Sequence, residues 1–194
     1  MDERSRPLRW PDREQIPASN EQPSFEDVVI PNLDAAYSLA RWLVRDPALA
    51  EDVVQDAVAR GLSYFASFRG GDAKAWLMRI VRNTAYTSLS ARQKVLRHQD
   101  SDGAGYEEAA LNAPDPALDP EQALLQKELA EQLETALAGL PIELRECLIL
   151  KEVEGLSYKE IAQVAGIPVG TVMSRLWRAR QALIHLVKTG NGHD

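Results

Sequence analysis

"SYKEIAQVAGIPVGTVMSRL", residues 157–176, decides how the rest of the chain is read. Ser157, with Glu160 three residues on, is a capping box, and it opens a short helix that ends near Val164. Ala165-Gly166-Ile167-Pro168 is a turn in which glycine permits a left-handed residue. A second helix follows. Ala162 is small enough to let the two helices approach, and Ile161, Val172 and Leu176 fill the space between them. This spacing predicts a helix-turn-helix. Its second helix can present Thr171, Ser174, Arg175 and Arg178 to a DNA major groove, with Arg180 near phosphates. Residues 169–188 carry four basic residues and no acid, a local charge of +4. A plain helical hairpin with a solvated basic face has no need of that exclusion.

Outward from this motif the pattern stays helical. Pro141 opens a helix that runs through Val153 and stops at Gly155. Before it, Asp119-Pro120-Glu121-Gln122 is a helix start with N-cap, proline and capping-box glutamine. Leu125, Leu129, Leu133, Ala136, Leu137 and Leu140 then line one face. Residues 122–188 therefore form one small helical domain, followed by a tail, 189–194. Further upstream three more helices are expected. Leu33, Ala36, Tyr37, Ala40, Leu43 and Val44 mark the first. Asp46 and Pro47 start the second, with the stripe Ala50, Val53, Val54, Ala57, Val58, Leu62. Gly70-Gly71 breaks the pattern, and a third helix from near Asp72 carries Trp76, Leu77, Ile80, Val81, Thr84 and Ala85. These make a second domain, residues 25–97. Residues 1–24, polar with four prolines, read as a disordered arm. No strand pattern and no internal repeat is present, so the fold class is all-α: two small helical domains joined by a flexible acidic linker, 98–121.

Charge sharpens this division. The formal net charge is −7, and residues 98–122 hold seven acids and no Lys or Arg, so that segment alone carries the excess. Its glycines and prolines suit a flexible chain with a span of roughly 25–30 Å. Residues 69–97 hold seven basic residues against Asp72 alone. Two basic regions flanking an acidic spacer suggest a polyanion touched at two places. Other classes find no support. One cysteine, Cys147, permits no internal disulfide, fits a reducing cytoplasm, and reads as a core residue among leucines. The three histidines are scattered, so no metal site is expected. There is no nucleotide-binding glycine motif, no apolar run of membrane-spanning length and no secretory signal. No cofactor, small-molecule substrate or catalytic constellation is read.

"LPIELRECLILKEVEGLSYKEIAQVAGIPVGTVMSRLWRARQAL" resembles the promoter-binding C-terminal domain of bacterial RNA polymerase sigma factors of the extracytoplasmic-function group. "DPALAEDVVQDAVARGLSYFASFRGG" resembles that group's polymerase-clamp-binding helix and the loop after it, and "AWLMRIVRNTAYTSLSARQK" its promoter-melting, −10-reading helix. The resemblance spans residues 25–97 and 122–188 in the right order. It implies that Asp52, Gln55 and Asp56 face core polymerase. It implies that Phe68 and Arg69 lie in the loop holding a base flipped from the −10 element, that Asn83 reads a base edge, and that Arg79, Arg82 and Arg92 contact phosphates. Trp76 is read as core. Thr171, Met173, Ser174, Arg175, Trp177, Arg178 and Arg180 would serve the −35 element. Two positions depart from the group: Thr87 stands where an acid is common, and Met173 where a cation is common.

The function so implied is a bacterial cytoplasmic transcription initiation factor. It would bind core RNA polymerase and promoter DNA, read −35 and −10 elements, and answer to an anti-sigma partner, often at the membrane. The alternatives from the residues alone are a helix-turn-helix regulator acting without polymerase, and a helical protein-interaction adaptor. Neither needs the Asp52/Gln55/Asp56 face followed by the loop and Asn83.

Overall fold

The computed structural model of the chain describes residues 23–68, 70–98 and 120–190. Residues 1–22 of the expected arm, most of the acidic linker, Arg69 and the last four residues lie outside the described residues, while Ser24, read as part of the arm, is placed. Among the described residues eight α-helices occur in order: α1 Phe25–Val29, α2 Leu33–Val44, α3 Pro47–Tyr64, α4 Ala73–His98, α5 Pro120–Ala138, α6 Ile142–Glu152, α7 Tyr158–Ala165 and α8 Val169–Gly190. No strand occurs among the described residues.

The local signals place most boundaries. Asp46 caps α3 by accepting from the Leu49 amide at 3.2 Å, ahead of Pro47. Asp72 caps α4 by accepting from Ala75 N at 2.7 Å. Gly70 and Gly71, at φ 82° and 98°, make the break between α3 and α4. One element was not read from the sequence. The short α1 begins at a capping box in which Ser24 and Asp27 exchange side-chain and backbone hydrogen bonds, and it buries Val28 and Val29.

In the N-terminal half α2, α3 and α4 pack on one another around Leu39, Leu43, Val53, Leu77, Met78 and Val81. In the C-terminal half α6, α7 and α8 enclose Ile149, Leu150, Ile161, Val172 and Leu176, and α5 leans on α8. Cys147 is buried in this core, as its leucine neighbours suggested. The halves also pack on each other, α4 against α7 and α2 against α6, and their buried apolar residues form one continuous cluster.

Four apolar positions depart from the periodic reading. Leu62, expected on the buried stripe of α3, is exposed, as are Tyr37 on α2 and Leu129 and Leu133 on α5.

Candidate nucleic-acid interface

The helix-turn-helix forms as its chemistry dictates. The Ser157 hydroxyl accepts from Glu160 N at 3.3 Å, and the Glu160 carboxylate accepts from Ser157 N at 2.6 Å. The Ser157 hydroxyl, and after it the Ser157 amide, hold the Glu160 carboxyl below the usual range by hydrogen bonding to it. Gly166 closes α7 at φ 68°, its amide donating to Ala162 O. Ile161, Val164, Val172, Leu176 and Ala179 are buried, which fixes α8 against α7.

The outer face of α8 carries Met173, Ser174, Trp177, Arg178 and Arg180, all exposed, with Thr171 half-buried beside them. Met173 and Trp177, one turn apart, are 53% and 63% exposed. They form an apolar strip within a basic face, available to base methyl groups and sugar edges. Arg178 makes no ion pair with the described residues. Arg180 is held by Glu152 at 2.7 Å, an exposed bridge that a phosphate could replace. The Ser174 hydroxyl donates to Thr171 O at 3.0 Å and is occupied within its own helix.

Arg175 sits differently from its neighbours on α8. It is half-buried, packs beside the Cys147 thiol, and keeps Nη1 buried with no hydrogen-bond partner. Burial is the first cause that pushes the Cys147 thiol up, with Glu146 adding to it. One guanidinium nitrogen of Arg175 thus lies within the packing beneath α8.

A second feature lies on the N-terminal half. Arg60, Tyr64, Trp76, Arg79, Ile80, Asn83 and Thr84 line an open cavity of ≈ 310 Å³ between α3 and α4. Asn83 and Arg79, one turn apart, sit exposed at its edge. An amide, two guanidinium groups and two aromatic rings around one concavity suit a nucleobase and its phosphate. Arg60 and Tyr64 were not singled out from the sequence. The signal that could have found them is their position one turn apart at the end of α3, just before the glycine break. Trp76, read as core, is half-buried: it packs on Phe65 (ring centroids 6.0 Å apart) and also walls the cavity.

Three other residues assigned to the −10 element are placed differently. Phe68 is buried, stacked on Phe65 at 5.7 Å and tilted against Trp76 at 5.3 Å, so in this conformation it offers no face to a base. Phe25 of α1 completes that aromatic cluster at 5.4 Å from Phe65. Arg92 Nη1 bonds the Asp46 carboxylate at 2.9 Å and ties α4 to the cap of α3. That bond, with the Leu49 amide, holds the Asp46 carboxyl below its usual range. Arg82 donates through Nε to the Glu146 carboxylate of α6, lies over the Tyr86 ring at 4.4 Å, and donates through Nη1 to Asn83 Oδ1 at 3.2 Å. Burial opposes its charge, but Glu146 outweighs burial and raises the guanidinium.

Asp52, Gln55 and Asp56 lie exposed along one side of α3. Asp56 makes only a loose surface pair with Arg60 at 3.6 Å. Leu62 extends the same side at 61% exposure, so the face offers acid and apolar contact together, which suits protein more than nucleic acid.

Known proteins carry both halves. The sigma-70 region 2 model matches residues 28–95, and the sigma-70 region 4 model residues 130–183. The chain is 39% identical over 165 residues to the RNA polymerase sigma-H factor of Pseudomonas aeruginosa, covering 82% of this chain and 84% of that protein. It is 38% identical over 139 residues to the ECF RNA polymerase sigma-E factor of Escherichia coli K12, covering 71% and 73%. Among solved structures it resembles the sigma factor RpoE of Bartonella quintana, crystallised with the anti-sigma factor NepR. The TM-score is 0.69 and the identity 29%, over 84% of this chain and 96% of that one. With both sigma-70 regions in order and relatives matched over most of their length, the chain belongs to the extracytoplasmic-function RNA polymerase sigma factors.

Proposed function

We propose that this chain joins core RNA polymerase and directs it to promoters, with α8 reading the −35 element and α4 the −10 element. The observation that carries the reading is the cavity edged by Asn83 and Arg79, on the opposite half of the chain from the helix-turn-helix. A regulator acting alone needs the second feature but not the first. The exposed Asp52/Gln55/Asp56 face, extended by Leu62, is the contact for polymerase.

The mechanism follows from the groups present. Arg178 and the Met173/Trp177 strip engage the groove, and Arg180 exchanges Glu152 for a phosphate. On the other half, an unpaired base leaves the duplex and enters the cavity. The unstacking costs a few kcal/mol, which contact with Trp76 and Tyr64 and an amide hydrogen bond from Asn83 offset. Melting is therefore capture of unpaired bases, with no chemical step and no nucleotide hydrolysis by this chain. The protein works in the bacterial cytoplasm. Among the described residues no helix is long and apolar enough to cross a membrane. An anti-sigma partner controls it; the crystallised relative with its anti-sigma factor supports this part of the reading.

Run-off transcription with purified core polymerase on a promoter library tests the proposal. Initiation at a defined promoter class, dependent on this chain, is expected. No initiation across the library would refute it.

A further inference from the structure

The polar groups that line the cavity on the N-terminal half are not a balanced set. Arg60 and Arg79 bring only donors. Tyr64 and Thr84 bring hydroxyls, but Thr84 is 1% exposed and donates its proton to Ile80 O at 2.9 Å. Asn83, exposed at the edge, decides what an entering base meets, because an amide holds both a donor and an acceptor. Arg82 settles which of the two is offered. Its Nη1 donates to Asn83 Oδ1 at 3.2 Å. A guanidinium has no acceptor, so the atom turned toward it is the oxygen and not the nitrogen. The two N–H groups of Nδ2 then have no acceptor among the described residues. Thr87, one turn on, sets no carboxylate beside them; its hydroxyl donates to the Asn83 backbone oxygen at 2.8 Å. The Tyr86 ring, one turn along from Arg82, lies against the guanidinium at 4.4 Å, so α4 itself holds the group that orients Asn83.

We propose that Arg82 is a positioning residue: it fixes Asn83 with its amide donors toward the cavity, so that the captured base is one bearing a carbonyl oxygen (thymine, cytosine or guanine) and adenine is rejected. The inference rests on the proposed capture of a −10 base by this cavity and adds its selectivity.

Base chemistry supports the division. Thymine, cytosine and guanine each carry an exocyclic carbonyl oxygen. Adenine has none, and its exocyclic N6 amino group is a donor. Against Asn83 Nδ2, Arg60 and Arg79 that amino group meets donor with donor, and the water it gives up is not replaced. A site of one hydrogen-bonding polarity rejects the mismatched base more strongly than one whose amide is free to turn over. The same logic separates Arg82 from a phosphate contact. A phosphate contact strengthens binding to every sequence alike, whereas a positioning residue changes which base is taken.

The test uses the full chain with core polymerase on a promoter library randomised across the −10 region, read by transcript sequencing. Asn83→Ala marks the position that the cavity reads. There the wild type should use the carbonyl bases over adenine by at least about fivefold. Arg82→Met keeps an apolar stem and removes every donor, so the Asn83 amide turns freely and the discrimination should fall to about twofold or less. Arg82 also pairs with the buried Glu146 carboxylate, so Arg82→Met is made together with Glu146→Gln, and circular dichroism and urea titration check that the fold is intact. Asn83→Asp, at an exposed position, leaves Arg82 an acceptor and replaces the outward donor by an oxygen. Preference should then move toward the bases with an amino donor, adenine and cytosine, by about fivefold or more. Adenine as the base preferred by the wild type overturns the inference. So does initiation lowered alike for all four bases, with unchanged preference, in either variant. If Asn83→Ala alters preference at no position, the proposed −10 role of the cavity falls, and the inference falls with it.

Discussion

Gly166 offers a clean test of the turn that builds the −35 reader. Its φ is 68°, and a Cβ placed there meets nothing within 4 Å. Gly166→Ala therefore adds no clash; its cost is the backbone strain of an L-residue in the left-handed region, about 1–2 kcal/mol. Asparagine tolerates that region better, so Gly166→Asn should cost roughly half as much or less. With a urea m-value of about 2 kcal/mol/M, the alanine variant should lower the unfolding midpoint by about 0.5–1 M at constant m. Circular dichroism during urea titration measures both variants. The reasoning fails if alanine costs nothing, if alanine and asparagine cost the same, or if the loss passes about 3 kcal/mol, which only a steric clash would produce.

Other consequences can be checked alongside. Arg178→Ala should weaken holoenzyme binding to the −35 element and reduce the salt slope of log K by about one, because one cation leaves the interface. Asp56→Arg should impair core polymerase binding by about tenfold or more, with urea stability changed by less than about 0.5 kcal/mol, since the residue is exposed. The Asp46 carboxyl is held below its unfolded value, chiefly by Arg92. It therefore stabilises the fold above the ordinary aspartate range, and that contribution is lost as pH falls through the folded value. Asp46→Asn keeps a good cap but should flatten the fall of stability with acid below about pH 4; an unchanged acid limb in urea titrations would refute the link to Arg92.

What could be read from the chain follows a physical rule. The helix-turn-helix was readable because its determinants are local: Ser157 and Glu160 are three residues apart, and Gly166 marks the turn by itself. The arginines were not separable in this way. Arg79 and Arg178 remain available, while Arg82 and Arg92 are engaged by Glu146 and Asp46, 64 and 46 residues distant. Arg175 turns inward to Cys147. Such choices belong to tertiary packing, which periodicity does not encode. The burial of Phe68 was not legible for a related reason. The aromatic cluster that buries it includes Phe25, on a short helix hidden in the sequence behind a proline-rich arm. Glu146 left a sign that can be used elsewhere. In "ELRECLILKE" every residue from 145 to 150 is buried, and an acid in the midst of such a helix requires a cation from outside it.

The central claim is that one chain reads two promoter elements with two separate surfaces. Sequencing transcripts from a randomised promoter library, with wild type, Met173→Arg and Asn83→Ala compared in the same holoenzyme, tests it most directly. Met173→Arg should change base preference only in the upstream element, and Asn83→Ala only in the downstream one. Shifts of both elements by either variant, or of neither by both, would contradict the account.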